Sequence, residues 1–177
     1  AADSGTPLEQ GAMRMFAHTP EISKGLTAFA GSLKQNRSLP DRLVELVRLR
    51  VAFHNQCRSC MAIRYKDGQE AGITEDLVCS LEKPMEADNL SDAEKAAIQY
   101  GELFATNHLA INDDIYDNLR KYFNESEIVE LSMTVAFFVG FGRLAASYHM
   151  VEELPESFQA NEKETLTPWG NDSIIVR

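Results

Sequence analysis

Residues 38–64 read SLPDRLVELVRLRVAFHNQCRSCMAIR. Pro40 opens a helix in which Leu43, Val47 and Val51 recur at helical spacing to about Phe53, and His54-Asn55-Gln56 interrupts it. A second helix is expected to begin near Cys57 and run through Met61 and Tyr65 to Gly72, a residue suited to a helix C-terminus. Outward from this stretch the punctuation stays helical. Thr19-Pro20-Glu21 starts a helix to about Asn36, with proline at its first position. Thr74 caps a short helix that stops before Pro84, and Ser91-Asp92-Ala93-Glu94 is a capping box. Ile115, Leu119, Tyr122 and Phe123 mark a further short helix. Asn124 to Glu127 opens a long apolar one from about Glu125 to Met150. No run alternates as a strand does, and no tight hairpin turn separates apolar segments. The expected fold is all-α.

Leu43-Val44-Glu45-Leu46 is echoed by Ile128-Val129-Glu130-Leu131 at an offset of 85 residues (128 − 43), which sets Cys57 against Gly142 and Arg64 against His149. Two related helical hairpins, one with thiols and one without, would produce this echo. The expected organisation is a helical domain over residues 1–154 and a C-terminal arm over 155–177, PESFQANEKETLTPWGNDSIIVR. The arm is polar apart from Phe158, Trp169 and Ile174-Ile175-Val176. It reads equally as a loose terminus and as a segment docked on a neighbouring subunit.

The 177 residues carry 17 basic and 27 acidic side chains, a net charge of −10, which argues against nucleic-acid and anionic-membrane partners. Apolar stretches run about eight to ten residues, short of the ~20 that a bilayer span requires. AADSGTPLEQ lacks a basic segment followed by an apolar run, so no secretory signal is expected there and the expected location is the cytoplasm. Three cysteines are too few for a disulfide scaffold, and two of them form Cys57-x-x-Cys60, a spacing used for redox or metal chemistry.

A thiol is nucleophilic only when ionised, and a free cysteine near pKa ~8.5 is mostly protonated at neutral pH. Placement at a helix N-terminus favours the thiolate, Arg58 is adjacent, and Arg64 is expected one turn beyond Cys60 on its helix face. Two intervening residues allow a reversible disulfide. Glu45, twelve positions before Cys57, approaches the thiols if the chain folds back at residues 54–56. Buried there with a raised pKa, it would accept and return protons. Equally, Glu45 pairs with Arg42 or Arg48 on a solvated face. His54 is a second proton acceptor by proximity. Two other uses of the cysteines stand beside the redox one. They are a structural zinc site of His54, Cys57, Cys60 and Cys79, and plain burial as small core residues. Cys79, between Val78 and Ser80, is expected in the core. No phosphate-cradling loop, nucleophile elbow or dinucleotide fingerprint occurs, and no cofactor is expected.

The quoted stretch, with Gly72-Ile73 and the capped short helix after it, resembles the carboxymuconolactone decarboxylase superfamily, especially its AhpD-like alkylhydroperoxidase branch. LSDAEKAAIQYGELFATNHLAINDDIYDNLRKYFNESEIVELSMTVAFFVGFGRLAASYHM resembles that superfamily's closing helices, so the likeness covers about residues 8–152. Its sharpest element is Glu45, then eleven residues, then Cys57-x-x-Cys60. The resemblance implies an all-helical fold assembled as trimers or hexamers, with the thiol pair in a pocket near subunit contacts. It implies reduction of a hydroperoxide, or electron relay to a peroxiredoxin, with a dithiol or peroxiredoxin-type partner. By position, Cys60 attacks the peroxide, Cys57 resolves, and Glu45 belongs to the proton relay. This chain has Arg64 where the family usually has a histidine, and Ser59 between the cysteines where AhpD proper has another. Arg64 stabilises a thiolate but is no base at neutral pH, so a relay uses Glu45 with water, or His54 or His149. Decarboxylation or isomerisation of a small acidic lactone is the alternative chemistry, and a zinc-stabilised oligomer the non-enzymatic one.

Overall fold

The structure is a computed structural model that describes residues 5–151, 153–159, 165–170 and 175–177. It is all-α apart from one pair of two-residue strands. The helices are α1 (Pro7–Ala17), α2 (Pro20–Gln35), α3 (Asp41–Asn55), α4 (Arg58–Ala62), α5 (Lys66–Glu70), α6 (Glu75–Cys79), α7 (Asp92–Thr106), α8 (Asp113–Arg120), α9 (Glu125–Tyr148) and α10 (Glu156–Gln159).

Helix α3 is the axis of the molecule because it is buried almost all round. Leu43, Leu46, Val47, Leu49 and Val51 are buried, mainly against α7 and α9. Each such side chain contributes roughly 1.5–3 kcal/mol by leaving water. Three of its charged residues, Glu45, Arg48 and Arg50, are buried too, and each has a partner. Arg50 Nε donates to Glu102 at 2.9 Å and its Nη1 to the Leu81 carbonyl at 2.8 Å. Gly101 of α7 lies against Val47, where an added Cβ would come within 3.0 Å, so the two helices approach closely. The capping boxes at Ser91–Glu94 and Asn124–Glu127 form as their sequences indicate. A third, Thr6 with Glu9, opens α1, a helix the sequence reading does not anticipate.

Helix α9 is long and apolar enough, by length and composition, to cross a membrane, although no single apolar stretch within it reaches that length. One side of it packs in the core through Ile128, Leu131 and Val135, while Val129, Met133, Leu144 and Tyr148 stay exposed. The echo between residues 43–46 and 128–131 holds where both helices enter the core. It ends at the break after α3, since α9 continues unbroken through Gly142.

Gln56 makes that break. It sits in the left-handed region (φ 49°, ψ 35°), which costs a non-glycine residue about 1–3 kcal/mol, and it turns the chain from α3 into α4. The expected helix from Cys57 to Gly72 is not continuous. It stops at Ala62, and Ile63–Arg64 form strand β1, which pairs in parallel with β2 (Ile175–Val176). Strand pairing supplies partners that a helix would otherwise provide: Arg177 N–H donates to the Arg64 carbonyl at 2.9 Å, and Lys66 N–H to the Arg177 carbonyl at 2.8 Å.

Where it is described, the C-terminal arm packs against its own chain rather than lying loose. Phe158 is fully buried among Ala52, Met61, Ala62 and Leu154. Trp169 lies 4.7 Å from the Phe53 ring, with Arg50 over it. Arg177 pairs with Glu153 and Glu9. Ile174 of the expected apolar patch lies outside the described residues.

Candidate functional site

Cys57 is the N-cap of α4. In that position its sulfur accepts from the Cys60 N–H at 3.3 Å, and the Ser59 hydroxyl donates to it at 3.6 Å. The turn brings Cys57 and Cys60 into a disulfide, with Cα atoms 5.2 Å apart. The two sulfurs are not equivalent to a visitor. Cys57 is 0% exposed, whereas Cys60 is partly exposed and borders a cavity of about 60 Å³ lined by Arg48, Ala52, Asn55, Phe138, Phe141 and Gly142. Donors at an N-cap stabilise an anion, so a thiolate formed at Cys57 has partners waiting.

The far wall of the cavity is set by Asn55. Its Nδ2 donates to the Phe138 carbonyl at 2.9 Å, and its Oδ1 accepts from Arg143 Nε at 3.2 Å. Gly142 permits this, because a Cβ there would fall 2.4 Å from Asn55 Nδ2. The nearer wall is Arg48. Its Nε and Nη2 donate to the two oxygens of Glu45, each at 2.6 Å, while Nη1 donates to the Cys60 carbonyl at 2.7 Å and Nη2 to the Ile63 carbonyl at 2.8 Å. Burial works against the charge of Arg48. The Glu45 carboxylate more than offsets it, holding the guanidinium above its ordinary range.

Glu45 thus meets half of each sequence expectation: it is buried, as a proton relay would have it, and paired with Arg48, as the alternative would have it. It is buried, 5% exposed, rather than on a solvated face, and both its oxygens are engaged by Arg48 rather than free to face a sulfur. It joins the cysteine helix through Arg48. A second cavity, of about 140 Å³, opens on the other side of this pair between Lys34, Tyr65 and Asp67, and shares Arg48 and Phe138 with the first.

Arg64 does not lie on the Cys60 helix face, because β1 has replaced the helix there. Fully buried, it donates to Glu75 through Nε at 2.9 Å and Nη2 at 3.0 Å, and to the carbonyls of Met61 and Pro168. His54 points to α7, with Nε2 3.8 Å from Glu102; the His54 imidazole and Arg50, working against burial, hold the Glu102 carboxyl down at about 2. His149, in a left-handed conformation at the end of α9, lines a small cavity with Gln56, Arg58 and Ser59. It thus shares a cavity with the cysteine turn.

The zinc constellation does not assemble. His54 faces Glu102, Cys57 and Cys60 are bonded to each other, and Cys79 is exposed rather than in the core, because α6 buries Leu77 and Val78 instead. Among the described residues no three of His, Cys, Asp and Glu converge. Sequence reasoning missed Asn55 and Phe138, and it placed Arg48 beside Glu45, three residues on, without its reach to the Cys60 carbonyl. A concavity of about 1000 Å³ between α1 and α2 holds neither cysteine.

Residues 20–103 match the family model described as carboxymuconolactone decarboxylase family, a span that takes in Glu45, Arg48 and both cysteines. An uncharacterized protein of Mycobacterium tuberculosis is 30% identical over 121 residues, 67% of this chain and 42% of that protein, so the chain spans less than half of this relative. A protein of unknown function from Agrobacterium tumefaciens superposes with a TM-score of 0.66 at 20% identity, over 80% of this chain and 95% of that one. A peroxidase-related protein from Ralstonia eutropha, with an alkylhydroperoxidase AhpD core, superposes with a TM-score of 0.65 at 17% identity, over 88% and 82%. At these identities the superpositions establish a shared fold.

Proposed function

The chain belongs to the carboxymuconolactone decarboxylase superfamily and has the AhpD-like fold, and from that premise we propose that it is a thiol-dependent peroxidase or disulfide reductase working through Cys57 and Cys60. The observation that carries this reading is the asymmetric pair: two sulfurs within bonding reach, one capped and enclosed, the other bordering a cavity.

In the reduced enzyme the Cys60 thiolate attacks the outer oxygen of a hydroperoxide. The O–O bond breaks, the alcohol or water leaves with a proton, and Cys60 becomes a sulfenic acid. The Cys57 thiolate then attacks Cys60 sulfur, releasing water and closing the disulfide. A dithiol partner attacks Cys60, Cys57 leaves as a thiolate onto its N-cap donors, and the partner's second thiol frees Cys60 while the partner becomes a disulfide. Two electrons pass from partner to peroxide in each cycle. Glu45 is a positioning residue in this scheme: it fixes Arg48, which holds the Cys60 carbonyl. His149, sharing a cavity with Ser59, is the imidazole assigned to the Cys57 proton. We also propose that copies of the chain associate through the face formed by α2 and α9. Helix α2 buries only Ser23, and Ile22 and Met133 are large apolar side chains left in water.

Counting free thiols by alkylation and mass spectrometry, before and after a stoichiometric peroxide pulse, tests the reading. Rapid loss of two thiols at Cys57 and Cys60, restored by a dithiol, is expected. Thiols that remain unchanged overturn it.

A further inference from the structure

The described parts of the C-terminal arm grip the cysteine segment on both sides of the pair. Before it, Gln56 Nε2 donates to the Leu166 carbonyl at 3.1 Å and Leu166 N–H donates back to Gln56 Oε1 at 2.9 Å. Within it, Arg58 Nη1 donates to the Phe158 carbonyl at 3.2 Å. After it, Arg64 Nη2 donates to the Pro168 carbonyl at 2.8 Å, and β1 pairs with β2. Gln56 is the residue whose left-handed backbone aims Cys57 into its capping position.

We infer that Gln56 is a positioning residue for the redox pair, and that the arm, acting through it, sets the equilibrium between the Cys57–Cys60 disulfide and the two thiols. The inference rests on reading the pair as redox-active. Closure of a disulfide depends on the effective concentration of one sulfur at the other, which a pinned backbone raises and a loosened one lowers. Two electrons and two protons reduce the disulfide to two thiols. Here they come from dithiothreitol, which closes to its own cyclic disulfide. Releasing the arm therefore favours the thiols.

The test equilibrates the full chain in buffers of reduced and oxidised dithiothreitol, quenches with acid, and counts alkylated Cys57 and Cys60. Gln56→Gly keeps the left-handed turn, which glycine adopts without strain, and loses both bonds to Leu166 together with the local bond from Nε2 to the Phe53 carbonyl. It is expected to lower the equilibrium constant for disulfide formation about tenfold, a midpoint about 30 mV more oxidising. Trp169→Ala releases the arm at Phe53 and Arg50 without touching the cysteine segment, and is expected to shift the midpoint the same way. Glu94→Gln, which removes the charge from an ion pair with Arg42 elsewhere, is expected to lower thermal stability and leave the midpoint in place. Midpoints for Gln56→Gly and Trp169→Ala within twofold of the parent, at lowered thermal stability, overturn the inference and leave the arm a purely structural strap. The midpoint is read without peroxide, so a chain that fails as a peroxidase is still decided on this point.

Discussion

Arg48 joins the Glu45 carboxylate to the Cys60 carbonyl: the guanidinium spans the two at 2.6 and 2.7 Å, and closes its set of acceptors at Ile63. One buried cation thus fixes the end of the cysteine helix to the axis of the molecule. Replacing it takes the partner from the Glu45 carboxylate and this donor from the Cys60 carbonyl, while the Ile63 carbonyl keeps Arg64 Nη1 at 3.3 Å.

Arg48→Met is expected to destabilise the fold by about 3–5 kcal/mol, the cost of breaking a buried pair from one side. Urea unfolding followed by circular dichroism measures it. Glu45→Gln removes the charge but keeps an acceptor for Arg48, and is expected to cost less. A Glu45→Gln variant as unstable as Arg48→Met would show that the pair's charge, rather than its hydrogen bonding, dominates.

The two cysteines are expected to fail differently. Cys60→Ser loses the first oxidation altogether, so a peroxide pulse leaves Cys57 a thiol. Cys57→Ser halts after it, and a sulfenic acid accumulates on Cys60 that dimedone labels. Helicity is expected to survive both changes. Turnover retained in both variants would exclude the proposed cycle.

Glu102 supplies a pH dependence with a definite sign. Its carboxyl is held at about 2 in the fold against an ordinary 4.5. Its stabilising effect is therefore fully present above about pH 4.5 and is lost as pH falls from there towards 2. Glu102→Gln is expected to be less stable than the parent at pH 6 and to converge with it near pH 2. Chemical denaturation at several pH values within that window gives the comparison.

Gly68 lies against Glu45, where an added Cβ would meet its Cγ at 2.8 Å and its Cβ at 3.2 Å. Gly68→Ala is expected to push Glu45 from its bonds to Arg48 and to cost about 1–3 kcal/mol, as overpacking does. Thermal unfolding measures the cost. Combined with Glu45→Ala, which makes room, the penalty is expected to shrink.

Ile22→Glu together with Met133→Glu charges the face proposed for association. The double variant is expected to run at a lower mass than the parent by size exclusion with light scattering, at unchanged helicity. Equal masses would remove that face from the assembly.

Local signals carried most of the helical order. The boxes at Ser91–Glu94 and Asn124–Glu127 are contained within four residues, and both form. Thr6-Pro7-Leu8-Glu9 has the same grammar, so the start of α1 is equally local in the sequence. The break at Gln56 was visible as a lapse in periodicity, and the spacing of Glu45 from Cys57 marked both as belonging together. Other features have no local cause. Arg64 is drawn out of a helix by a strand from the far end of the chain and by Glu75 and Pro168, and no window around it contains them. Trp169 docks on Phe53 for the same kind of reason. Cys79 reads as apolar in its window, yet a five-residue helix can bury only one narrow face.

The pairing of residues 63–64 with 175–176 also orders events during synthesis. The cysteines leave the ribosome well before their strand partner exists. At 5–20 residues per second the interval is roughly 5–20 s. Through that interval the nascent chain presents its thiols to the cell without the arm across them, so the oxidation state in which the finished protein first appears depends on what it meets in those seconds.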